Sequence, residues 1–112
     1  DSGVIPDGVV ALNDMLASGV MHAIQMHDYR IPEDISVIGF DNSDDSQYLS
    51  PALTSIDPGL EAVARLSVKV LKERIDGREP NGEHPGRKVF RKVSSSLVMR
   101  QSTKLPQESL VV

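Results

Sequence analysis

A chain of 112 residues with a net charge of −4, 39% hydrophobic and 25% charged, has the composition of one globular domain that buries roughly two-thirds of its unfolded surface. No Lys or Arg cluster is dense enough to track phosphates, so this chain by itself is not expected to bind nucleic acid. Zero cysteines exclude disulfides, zinc–thiolate sites and thiol nucleophiles and suit a reducing cytoplasm, and the lack of a long apolar run or a basic-then-apolar leader argues against a membrane span or signal peptide.

In chain order, Gly8-Val9-Val10-Ala11-Leu12 is a short apolar run fit for a strand buried on both faces, as in a parallel sheet. Asn13-Asp14 supplies a helix cap with acidic charge in the first turn. Leu16, Val20, Ala23 and His27 continue at helical spacing, and Met15, Gly19, His22 and Met26 form a second stripe beside them. A helix apolar on two sides has two partners to satisfy: its own sheet, and either a neighbouring subunit or the rest of a larger domain. Ile31 to Asp34 reads as a turn built around Pro32, and Ile35 to Phe40 as the second strand. Strand, helix and strand in one sheet imply a right-handed crossover and parallel pairing.

Strand formers then stop abruptly in "VIGFDNSDDS", residues 37–46. In an open parallel sheet, ligands bind beyond the carboxyl ends of the strands. Asp41 and Asn13 each follow a strand, so both are expected to face one crevice. Pro51 to Ile56 reads as a short extended piece, followed by a helix capped by Asp57, begun by Pro58 and terminated by Gly77. Leu60, Ala64, Val68, Leu71 and Ile75 would form its inward stripe. Arg78 to Arg87 has the composition of a loop, Val89 to Lys92 and Val93 to Arg100 read as strand material in an edge hairpin, and 104–112 as a tail.

Enzyme chemistry finds little support. Asp41, Asp44 and Asp45 could offer clustered carboxylates to magnesium, but close spacing on a loop is commonly a solvated turn, and no lysine follows a strand to complete a phosphoryl-transfer site. His22 and His27 are separated by about 140° around a helix and cannot share a metal on one face. The glycines at 3 and 8 mimic the start of a phosphate loop but lack its Lys-Ser/Thr. No metal, cofactor or catalytic residue is expected.

"PDGVVALNDMLASGVMHAI", "IPEDISVIGFDN", "YLSPALTSIDP" and "SLVMRQST" resemble, in order and spacing, the C-terminal part of the effector domain of the lactose-repressor and galactose-repressor family of bacterial transcription regulators. The resemblance runs from about Pro6 to Thr103. It implies an α/β fold of the periplasmic-binding-protein type, a parallel-sheet three-layer architecture of two subdomains, with this chain as a C-terminal fragment. Residues 1–103 would be the effector-binding portion, the helix at 58–77 would belong to the other subdomain, and a return strand would lie around Leu97. The chain opens on Asp1 rather than a methionine, which also reads as part of something longer.

The resemblance further implies ligand roles. Asp41 sits where the family's "GFD" or "GYD" aspartate accepts hydrogen bonds from the effector, and Asn13 matches the asparagine of its "ND" pair. Simple capping explains Asn13 equally well, since such a cap is worth about 1 kcal/mol. Asn42 stands where many relatives have a second aspartate. The implied effector is a small molecule, a sugar or sugar phosphate in most relatives and a purine in a minority; the implied assembly is a homodimer through Met15, Gly19, His22, Met26, Gln47 and Leu49, and the implied hinge Ser55, Ile56 and Asp57. DNA would be reached only through a helix-turn-helix headpiece that this chain does not contain. An exported sugar-binding protein of the same architecture is the alternative, and the gene upstream of Asp1 would separate the two.

Overall fold

The computed structural model describes residues 3–77, 88 and 90–105. They fall into two compact units, residues 1–57 with 96–112 and residues 58–95.

The first unit is a four-stranded sheet in the order β1-β2-β3-β4. Strands β1 (Gly8–Val10), β2 (Ser36–Phe40) and β3 (Thr54–Asp57) run parallel, and β4 (Ser96–Val98) lies antiparallel to β3. The parallel pairing of the first two strands is the arrangement that the strand-helix-strand pattern dictates. β1 is shorter than the apolar run suggested and is not buried on both faces: as the first strand of the sheet it pairs with β2 alone, and Val10 is 73% exposed. Leu12 is 84% exposed, because the chain has already left the sheet to enter α1 (Asp14–Met26). The expected turn between helix and second strand is present, with the Asp34 and Ile35 N–H groups both bonded to Arg30 O.

The core of this unit is Ala11, Ala17, Met21, Ile24, Ile31, Ile35, Val37 and Leu53, with Val9, Val20, Tyr29 and Leu49 packed partly against it. The buried face of α1 is therefore Asp14, Ala17, Met21 and Ile24, not the Leu16, Val20, Ala23, His27 stripe, of which only Val20 is half-buried. Each large apolar side chain so covered contributes about 1.5–3 kcal/mol. Ser102 closes the sheet from below: its hydroxyl donates to Val37 O at 2.6 Å and accepts from Thr54 N at 2.8 Å, while its carbonyl accepts from Val37 N at 2.9 Å. One buried serine thus satisfies backbone groups of β2 and β3 where their own pairing begins.

The second unit is dominated by α2 (Leu60–Ile75). Its cap is Gly59, not Asp57, and Pro58 precedes the helix. Asp57 is held in β3 by its pairing with Ser96, so the helix starts later. Gly59 has φ 73°, and a Cβ there would meet Val93 Cγ1 at 2.9 Å, so glycine is required by conformation and by space. Gly77, at φ 70°, follows the helix as expected. The stripe Leu60, Ala64, Val68, Leu71, Ile75 does not point inward: all five are exposed, and Leu66, Val70, Glu73 and Arg74 are the half-buried positions.

Residues 90–95 carry no strand and β4 spans only Ser96–Val98, so the described part of the 89–100 segment is no hairpin; its strand pairs instead with the distant β3. A strand about Leu97 is as the resemblance implied. The expected 78–87 loop and most of the tail lie outside the described residues. Among the described residues no helix is long and apolar enough to cross a membrane.

Candidate functional site

β2 ends in a backbone that few residues adopt. Asp41 has φ 108° and Asn42 φ 51°, the left-handed side of conformational space where short polar side chains are the usual non-glycine occupants. Holding such residues costs on the order of 1–3 kcal/mol each, so the surroundings must over-determine them. Asp41 N–H still donates to Ile56 O at 2.9 Å. Asn42 N–H donates to Ser55 Oγ at 3.0 Å and its Nδ2 to Asp57 Oδ2 at 3.2 Å. Its Oδ1 accepts from Arg100 Nη2 at 2.6 Å. Arg100 also reaches Ser46 Oγ at 3.0 Å and Leu53 O at 2.8 Å.

The anchor of this arrangement is Asp14, 5% exposed. Its Oδ1 accepts from Ser55 Oγ at 2.6 Å, and its Oδ2 from Ser43 N at 2.7 Å and Ser43 Oγ at 3.1 Å. No lysine or arginine pairs with it among the described residues; the hydrogen bonds from Ser43 and Ser55 satisfy its two oxygens. Gly39 leaves the room it needs, since a Cβ at that position would overlap Asp14 Oδ1 and stand 2.9 Å from Leu53 Cδ2. Past the loop, Asp44–Tyr48 forms a short 3-10 turn that no sequence pattern announced.

Asn13, Asp14, Met15, Ser18, Asp41, Ser43, Asp45, Ser46 and Leu49 line one groove of about 460 Å³. The two candidate ligand residues are therefore together, at the carboxyl ends of β1 and β2. Asn13 does cap α1, its Oδ1 accepting from Leu16 N at 2.8 Å, which leaves its Nδ2 as a donor. The Asp41 carboxylate makes no hydrogen bond or ion pair among the described residues. The groove can thus accept hydroxyl or N–H donors at Asp41 and donate from Asn13. No group of His, Asp or Glu side chains among the described residues could hold a metal ion.

Of the remaining named positions, Met15 and Leu49 border this groove, whereas Gly19, His22, Met26 and Gln47 are exposed outside it. His22 and Leu49 border a second hollow of about 320 Å³ with Ser18, Met21, Gln25 and Ser50. Ser55, Ile56 and Asp57 lie within β3, Ser55 fully buried, and the first unit's unbroken run ends at Asp57. Sequence reasoning missed Asp14 and Arg100 as organisers. The available signal was Gly39 inside a strand, which marks a close approach.

Parallel strands joined by a crossover helix, with a polar groove where β1 and β2 end, form an α/β fold of the periplasmic-binding-protein type. The family of periplasmic binding protein-like domains matches residues 1–103, and the chain belongs to it; its similarity extends to lactose-repressor-type regulators. An HTH-type transcriptional repressor PurR of Vibrio vulnificus is 38% identical over 99 residues, covering 88% of this chain and 28% of the repressor. A LacI-type transcription regulator from Bifidobacterium animalis subsp. lactis has a similar structure, with a TM-score of 0.83 at 41% identity over 94% of this chain and 35% of that one. A periplasmic binding protein/LacI transcriptional regulator from Alkaliphilus metalliredigens, complexed with D-xylulofuranose, has a TM-score of 0.74 at 31% identity over 88% of this chain and 35% of that one. The chain therefore spans under a third of the length of the curated repressor.

Proposed function

We propose that this chain is the effector-sensing and dimerising part of a cytoplasmic transcriptional regulator, binding a small polyhydroxylated ligand of the sugar class to modulate DNA binding through a helix-turn-helix carried elsewhere in the protein. The observation that carries the reading is the Asp41 carboxylate, without a hydrogen bond or ion pair among the described residues, beside the Asn13 amide in one groove. A carboxylate acceptor and an amide donor suit vicinal hydroxyls, and the relative that holds a furanose sugar supports that class. The regulator role draws on the repressors named above. The exposed Met15, Gly19, His22, Met26 face, with Gln47 and Leu49, is the proposed pairing surface: a glycine for close approach and methionines that adapt their shape. The helix at 58–77 is assigned to the second subdomain, with Ser55 to Asp57 as the crossover.

Regulation would then be a population shift. A ligand that binds one arrangement of the subdomains better moves the equilibrium by its difference in affinity and by nothing else. The test is Asp41→Ala in the complete protein, after a thermal-shift screen of pentoses and hexoses has found the effector. Titration calorimetry should show affinity reduced by about 1.5–3 kcal/mol, the cost of losing a charged acceptor. Unchanged affinity would refute the assignment of Asp41.

A further inference from the structure

Asn42 lies between a cation and an anion. Its Oδ1 takes Arg100 Nη2 at 2.6 Å and its Nδ2 reaches Asp57 Oδ2 at 3.2 Å. Only one orientation of the amide meets both demands, because a guanidinium only donates and a carboxylate only accepts. A carboxylate at position 42 would satisfy Arg100 but stand against Asp57; an alkyl group would satisfy neither. Asn42 is half-buried, so the mismatch would not be freely relieved by water. The backbone of the same residue is fastened a third time, through its N–H to Ser55 Oγ, whose own hydroxyl proton goes to buried Asp14.

We propose that Asn42 and Asp57 form a positioning pair that sets the direction of the Asp41 carboxylate, and that the neutral side chain at 42 is dictated by the charge at 57. The functional meaning rests on the reading of Asp41 as the ligand acceptor. Asp41 and Asn42 share a peptide plane, and their φ values of 108° and 51° put both in a backbone region that is not self-sustaining. Fastening residue 42 from β3 and from the segment after β4 therefore fixes the Cα–Cβ direction at 41. The groove is offered a carboxylate already aimed, which removes an ordering cost from ligand binding.

The pair can be tested without any ligand, by amide hydrogen exchange on the full chain. The variants are Asn42→Asp, Asp57→Asn and the double exchange, which keeps one amide and one carboxylate in hydrogen-bonding contact and still gives Arg100 an acceptor. Exchange at positions 41 and 42 is read against the Val37 amide, bonded to Ser102 O in the body of the sheet. Asn42→Asp should accelerate exchange at 41 and 42 by about tenfold while leaving Val37 unchanged, since only the local opening is affected. Asp57→Asn should give a smaller acceleration at the same two amides, and the double exchange should return both to within about twofold of the parent. If Asn42→Asp does not fold, recovery of a folded chain by the double exchange supports the pair equally. Unaltered exchange in Asn42→Asp, or a double variant no better than that single one, would overturn the proposal. A pair that passes while Asp41→Ala leaves effector affinity intact would show a positioned turn without a ligand role, separating this inference from the reading it rests on.

Discussion

α1 and α2 are both amphipathic helices, yet they meet opposite fates. The core residues Ala11, Ala17, Met21, Ile24, Ile31, Ile35, Val37 and Leu53 all belong to the unit that contains α1, whereas α2 has no buried residue. Val63, Leu66, Val70 and Leu71 of α2, with Arg74, Arg91 and Val93, line an open hollow of about 430 Å³ within their own unit. An amphipathic pattern says that a face requires cover; it does not say what supplies it. A helix of this length is marginal in water without tertiary packing, so the two regions should differ sharply in what a lost methyl group does.

The largest effect is expected from truncation in the closed core. Leu53 is fully buried, and Leu53→Ala should destabilise the fold by about 2–5 kcal/mol. Val68 on α2 is 66% exposed, and Val68→Ala should change stability by no more than about 0.5 kcal/mol. Urea unfolding of both variants checks the contrast, and equal losses would erase it. Next comes Gly39→Ala, which tests the site within the well-packed unit. The added methyl group would overlap Asp14 Oδ1 and press on Leu53, so a loss of about 1–3 kcal/mol is expected. Gly39→Ala should cost less in an Asp14→Ser background than in the parent, because the smaller side chain vacates the space; an equal cost in both backgrounds would mean that Leu53 alone is the obstacle.

Which parts were legible follows from how local their causes are. β1, β2 and the start of α1 rest on short apolar runs and on one cap, Asn13 to Leu16 N, all within a few residues. The inward face of α1 was not legible, because apolar residues occupy several of its stripes and the stripe chosen is led by an acid. Asp14 turns inward to meet Ser43 and Ser55, 29 and 41 residues away, and no periodicity count treats a carboxylate as a core residue. The same holds for Asp57, which reads locally as a cap but is taken by β4 and Asn42. Asp41 was legible as a candidate because its polarity breaks a strand abruptly. The residues that hold that loop were not, since Arg100 lies 58 positions from Asn42.

The smallest expected effect comes from comparing an ion pair in each region. On α2, Glu61 and Arg65 meet at 2.8 Å with both side chains largely exposed, and neither is tied to the backbone by the bonds they share. In the turn before β2, Asp34 is held twice: its Oδ2 accepts the Arg30 backbone N–H at 2.8 Å, and both its oxygens face the Arg30 guanidinium at 3.3 Å. That backbone N–H first, and then the guanidinium, hold the Asp34 carboxyl below its ordinary 3.8. A carboxyl whose folded value is lowered adds stability that is fully present above its unfolded value and is lost as pH falls through the folded one. The contribution therefore stands at neutral pH and disappears only below about pH 4. Asp34→Asn keeps an oxygen for the Arg30 N–H but removes the titrating charge, so melting temperature followed from neutral to strongly acidic pH should fall less steeply in the variant on the acid side. Glu61→Gln should leave the melting temperature at neutral pH almost unaltered, because an exposed pair on a helix surface is screened and worth little. Acid limbs that are identical in Asp34→Asn and the parent would show that the turn before β2 is no better anchored electrostatically than the exposed face of α2.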